Sequence, residues 1–207
     1  MPHQPEAITD AHRARAQDAA SLDALTQALR DIEAWHRENG TGVVLHEGAD
    51  AAALDALEAR IGCVLPLELR TLWGWKNGEQ TDRFIWYHRF LPLEAALAER
   101  ETLTSEAWGG WPPTWIPVFE FEGEWYGVEC GAAGLLASPV VHYFIEDEPR
   151  VSHTNLTAYM QTMAAATREG ALTWKDGWWE DDPRRLSRIH AALNPGLGFP
   201  YYVPPVD

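Results

Sequence analysis

Residues 53–79, ALDALEARIGCVLPLELRTLWGWKNGE, constrain the fold more than any other stretch of the chain. Leu54, Leu57 and Ile61 recur at helical spacing and define one apolar face. Gly62 follows, where a helix C-terminus favours a residue that tolerates positive φ. Pro66 stands where a first helical turn accepts it, because its missing N–H has no partner there. Leu69, Leu72 and Trp73 form the stripe of a second helix, which Asn77-Gly78 closes. Two short helices with a sharp break between them are expected.

The ordered set Glu58, Ile61-Gly62, Leu65-Pro66, Arg70, Leu72-Trp73 and Asn77-Gly78 resembles the signature of the SUKH superfamily. That superfamily holds fungal cell-wall synthesis regulators and many bacterial immunity proteins. The signature residues are expected to hold the fold and touch no ligand. The resemblance extends downstream: Phe90-Leu91-Pro92-Leu93 is similar to the family's aliphatic-Pro-Leu start of a short helix. Trp115-Ile116-Pro117 is similar to its Trp-x-Pro strand, and Glu129 stands where the family often has Asp. Resemblance covers about residues 50–166. It implies an α+β domain, a partner that is a cognate toxin, commonly a nuclease, and no cofactor.

Before this stretch, Leu22, Leu25, Leu29, Ile32 and Trp35 predict a helix starting after Ser21 and ending near Asn39-Gly40. Residues 1–20 read as a polar tail or the beginning of a helix. After it, Phe84–Tyr87 reads as a strand, and Pro92 opens a helix. Trp115–Phe121 and Trp125–Cys130, joined at Glu122-Gly123-Glu124, read as a hairpin. Trp115, Phe119 and Phe121 are assigned to one face of it. Val140–Ile145 and a short segment near Val151 complete the strands. Thr154 or Asn155 caps a last helix that ends near Gly170. Helices followed by strands predict an α+β, mainly antiparallel twisted sheet, packed on helices by one face with the other partly exposed. Residues 21–40 form the N-terminal helix, 50–170 the core domain, and 171–207 a Trp- and Pro-rich extension with a helix near 184–193. Its aromatic residues are expected to pack on the core.

Charge narrows the function. The chain has 207 residues and a net charge of −15. Between Glu101 and Pro149 stand nine acidic residues and no Lys or Arg. Nucleic acid would be repelled, since its binding rests on neutralising phosphates. Such a surface keeps a protein soluble or attracts a basic partner. No apolar run is long enough for a membrane span, and the N-terminus lacks the apolar region of a secretory signal. Cys63 and Cys130, far apart in sequence, read as buried thiols of a reducing compartment, so a cytoplasmic protein is expected.

Catalytic patterns are sparse. The eight histidines make no metal-ligand spacing, and His142 with His153 is the one pair placed to meet across strands. Neither Gly-rich piece, residues 109–111 or 131–134, has the Lys of a phosphate loop. Glu120 and Glu129, on adjacent strands, are the best candidates for a glycosidase pair. The tryptophans that core spacing explains least, Trp86, Trp108, Trp111, Trp125 and Trp178, would suit a glycan-binding face. Glycan binding or hydrolysis is therefore the alternative function. The preferred surface consists of Glu120, Glu122, Glu124, Trp125, Glu129, Glu146, Asp147 and Glu148, with Trp86 as an outlying anchor for a basic partner.

Overall fold

A computed structural model describes residues 8–81, 84–105, 111–131, 133–145 and 147–204. Helix α1 (Asp10–Asp18) is capped by Thr9, and α2 (Leu22–Glu38) by Ser21, whose hydroxyl accepts the Ala24 N–H at 3.2 Å. Leu25, Ala28, Leu29 and Ile32 form the buried stripe of α2. Helices α3 (Ala51–Ile61) and α4 (Leu67–Trp75) follow, with Gly62 left-handed between them as its spacing predicts.

The signature residues bind one another. Glu58 Oε1 accepts the Leu65 N–H at 2.9 Å and the Arg70 guanidinium at 2.8 Å, which fixes the α3–α4 turn. Asn77 Oδ1 accepts the Leu93 N–H at 2.9 Å and so starts α5 (Leu93–Leu103). Gly78 has φ 77°, and a Cβ there would fall 2.3 Å from the Pro92 nitrogen. No residue with a side chain fits that crossing without displacing backbone.

A five-stranded antiparallel sheet runs β1 (Arg89–Phe90), β2 (Trp115–Phe121), β3 (Glu124–Glu129), β4 (Val140–Phe144), β5 (Arg150–His153), each strand beside its successor. Its inner face, with Phe90, Phe119, Tyr126 and Val128, packs on α6 (Leu156–Arg168), and Phe119 stacks on Tyr159 at 5.1 Å. The stripe of α2 joins the same core through Leu156, Tyr159, Met160 and Met163. The molecule is α+β, with a mainly antiparallel sheet against helices.

Three local expectations change. Phe84–Tyr87 is not a strand. Ile85 and His88 exchange backbone hydrogen bonds around Trp86, which has φ 54°, so the aromatic run is a tight turn. Trp115 and Phe119 lie on opposite faces, because a bulge between Pro117 and Phe119 shifts the register. The outer sheet face is also covered. Trp115, Trp125, Val141, Tyr143 and Val151 form a second core there with Ile8, Leu103 and Trp111. Gly127 makes this possible: a Cβ would sit 2.6 Å from the Trp111 ring, which lies directly on the strand. Of the two readings of the N-terminal stretch, residues 10–18 take the helical one, and the helix is anchored. Arg13 grips Glu129 with two bonds of 2.8 and 2.9 Å, and Asn155 Nδ2 donates to the Ala16 carbonyl at 3.0 Å.

Beyond α6, the hairpin β6 (Leu172–Lys175) and β7 (Trp178–Asp181) leads into α7 (Pro183–Leu193). Trp179 stacks on Trp35 of α2 at 5.1 Å. Tyr201 reaches the inner sheet face, where its hydroxyl meets Tyr126 Oη at 2.8 Å and Glu124.

Candidate partner-binding surface

The surface forms at one end of the sheet, because the β2–β3 and β4–β5 turns both lie there. Glu124 pairs with Phe144, and the Ile145 N–H donates to the Gly123 carbonyl at 3.0 Å. Glu122, Ile145, Asp147 and Glu148 are exposed on these two turns. Glu120 lies half-buried one step inward, opposite Arg89 and Trp125. Arg89 approaches Glu120 at 3.3 Å, and Arg150 pairs with Asp147. Carboxylates still outnumber guanidinium groups. Their fields add at this end of the sheet, where solvent screens each one.

Beside these turns a cleft of about 350 Å³ is lined by Tyr87, Arg89, Glu120, Phe121 and Glu122. Its far wall approaches β7. The Tyr87 hydroxyl meets the Trp179 carbonyl at 3.1 Å and Asp181 Oδ1 at 3.3 Å. Burial and the charges of Asp181 and Glu180 push the Tyr87 phenol upward, so it remains a neutral donor. The β6–β7 hairpin thereby adds acids to the same end. Two large exposed apolar side chains, Trp178 at 63% and Tyr202 at 78% exposure, come from the extension. Sequence reasoning passed over this hairpin, although Asp176-Gly177 between two Trp-bearing segments is a turn signal.

Of the nine residues proposed from sequence, Glu120, Glu122, Asp147 and Glu148 come together at this end. Glu146 and Trp108 lie outside the described residues. Glu129 sits at the opposite end of β3, held by Arg13. Trp125 is 5% exposed and Trp86 6%, so both are core residues and neither presents a ring to solvent. Their burial follows from the covered outer face for Trp125, and from packing on Tyr201 at 4.5 Å for Trp86.

Glu124 points inward. His142 Nε2 lies 2.7 Å from its Oε1, His88 Nε2 lies 3.2 Å from the same oxygen, and the Tyr201 hydroxyl donates to it. Burial alone would raise this carboxyl. The contacts with His142, His88 and Tyr201 outweigh it and hold the group well below the usual carboxylate range. This carboxylate is consumed by the fold.

The glycosidase pair does not assemble. Glu120 pairs with Trp125 and Glu129 with Trp115, four positions apart along β3. At about 3.3 Å per residue that is roughly 13 Å, beyond the range for either stereochemical outcome. His142 and His153 lie on neighbouring strands, where His142 is opposite Arg150 and His153 opposite Val140. Among the described residues no group of three or more His, Cys, Asp or Glu could hold a metal ion. No helix among them is long and apolar enough to cross a membrane.

Comparison with curated proteins finds no match. A family model does match, over residues 48–162, more than half of the chain, and its span runs from just before α3 into α6. The match includes the interlocked Glu58, Asn77 and Gly78 contacts and all five strands of the larger sheet, and on that basis the chain belongs to the SMI1/KNR4 family (SUKH-1).

Proposed function

We propose that this protein is an immunity-type binding protein, which neutralises a basic protein toxin by covering its active site with the acidic end of the sheet. Members of the family are generally non-enzymatic immunity or regulator domains that bind partner proteins. The observation that carries the reading is the gathering of Glu122, Asp147 and Glu148 on two adjacent turns, with Glu120 beside them near the end of β2. An acidic edge accelerates encounter with a basic cleft and orients it. Tyr87 and Phe121 in the adjoining cleft, with Ile145 on the rim, supply apolar surface to be desolvated on contact. Toxins that act on nucleic acid carry basic clefts, and occlusion by carboxylates would replace phosphates there. A producing cell would need the protein where the toxin is made, which places it in the cytoplasm.

The test is retrieval of the partner by tagged protein from its native cell, washed at low and at high salt, followed by kinetics. One basic partner is expected, lost at high salt, whose toxicity to growth is relieved by co-expression. Changing Glu120, Glu122, Asp147 and Glu148 together to Lys should slow association with that partner about tenfold or more at low salt. Equal association rates for the two proteins would remove the surface assignment.

A further inference from the structure

The two cysteines, distant in sequence, are neighbours in the fold. Val64 and Gly131 exchange two backbone hydrogen bonds of 3.0 Å, a reciprocal antiparallel pair. Cys63 and Cys130 flank that pair, one on each segment, and both project to the side opposite Val64 and Gly131. Their thiols lie near enough to perturb one another, and both are free. Cys63 is half-buried and Cys130 is 1% exposed. Each adjoins a glycine, Gly62 before Cys63 and Gly131 after Cys130.

The surroundings make the two thiols unequal. The neighbouring Cys130 thiol and the Arg100 guanidinium favour the Cys63 thiolate, against burial and Glu58, and bring Cys63 down to about 7. The same contact and deep burial push Cys130 well above an ordinary thiol. A partly exposed thiolate beside a protonated, enclosed thiol is the arrangement of an attacking and a resolving cysteine.

We propose that Cys63 and Cys130 form a peroxide-sensitive dithiol that closes to an intramolecular disulfide. Cys63 thiolate attacks one oxygen of hydrogen peroxide, forming an S–O bond and breaking the O–O bond; hydroxide leaves. Cys130 sulfur then attacks the Cys63 sulfenic acid. The S–S bond forms, the S–O bond breaks, and the hydroxyl departs with the Cys130 proton as water. Two electrons pass from the sulfurs to the peroxide. Closure would tie the α3–α4 turn covalently to the end of β3, joining the signature helices to the sheet. The cysteines are diagonal neighbours across the Val64–Gly131 pair, and closure draws their sulfurs to bond length, about 2.05 Å.

The experiment treats the reduced full chain with hydrogen peroxide near pH 7 and reads intact mass and cross-linked peptides. A loss of about 2 Da and a Cys63–Cys130 peptide pair are expected, reversed by a thiol reductant. Cys130→Ser should instead accumulate a sulfenic acid on Cys63, trapped by dimedone. Cys63→Ser should leave Cys130 at least tenfold less modified at the same dose. In the unaltered protein, iodoacetamide should alkylate Cys63 with a midpoint near pH 7. Oxygen addition without the 2 Da loss, or disulfide only between two chains, would overturn the proposal, and neither reading depends on a variant folding.

Discussion

Glu68 and Glu79 are 1% and 4% exposed, whereas Glu122, Asp147 and Glu148 stand in solvent on the turns at the sheet's end. The two sets look alike in sequence, both being carboxylates in a strongly acidic chain. Their surroundings separate them. Glu79 Oε1 accepts the N–H groups of Phe84 and Phe90 at 2.9 and 2.8 Å, which holds the turn before β1 in place. Glu68 accepts the Leu156 and Thr157 N–H groups at 3.0 and 3.3 Å, at the first turn of α6. Inside, a carboxylate substitutes for missing backbone partners. Outside, it acts at a distance on whatever approaches. The comparison teaches that charge count alone names no site in this molecule, because much of the acid is structural.

Removing an inner carboxylate sets the largest effect. Glu79→Ala leaves two buried N–H groups without their acceptor and should cost about 3–5 kcal/mol, read from denaturant midpoints. A cost below about 1 kcal/mol would break the distinction between the two sets.

A smaller effect comes from Glu68 through pH. Burial lifts Glu68 to about 7, against its hydrogen bonds from Thr157 and Leu156. The folded chain therefore holds that proton more tightly than the unfolded one, and stability from this group falls as pH rises from about 4.5 to about 7. His36, His153 and His190 have the opposite sign. Burial holds each below its ordinary value, His36 to about 4, so their contribution is lost as pH falls below about 6.5. Three such histidines outweigh one glutamate, and the protein should weaken between pH 7.5 and pH 5. Glu68→Gln lacks the compensating gain, so its loss over that range should exceed the parent's by about 2–3 kcal/mol. Equal losses in urea titrations at the two pH values would show that Glu68 is not lifted.

The outer set should barely register on the same scale. Replacing Glu122, Asp147 and Glu148 together by Lys should alter stability by about 1 kcal/mol or less, since exposed pairs contribute little. Thermal unfolding beside the parent protein measures it. A large loss would move these acids into the structural set.

Much of the fold was legible because its cues are local. Ser21, Gly62 and Asn155 sit at helix ends for reasons of backbone geometry, and Glu122-Gly123 turns a hairpin whose first strand spans the expected residues 115–121. The misread pieces depend on remote residues. Phe84–Tyr87 has strand composition, yet Glu79 draws in the Phe84 N–H and the chain doubles back at Trp86. Trp125 looked like an exposed anchor because alternation fixes its side of the strand but not what covers that side. The cover is Trp111, admitted by Gly127. At the candidate surface, the acidic turns could be read from sequence. Their junction with the β6–β7 hairpin could not, since it rests on Tyr87 meeting β7 across 92 and 94 residues.

The seat of α2 on α6 bears on how this molecule can be handled as a piece. The family-matched span ends at residue 162, part-way along α6, and begins after α2 has finished. A fragment trimmed to those limits would keep Leu156, Tyr159 and Met160 while discarding Leu25, Leu29 and Ile32, which cover them. It would behave as a sticky remnant. Transplanting the domain into another protein, or splitting it as a two-part reporter, therefore calls for carrying α2 along, and α2 supplied separately offers a natural complementing half.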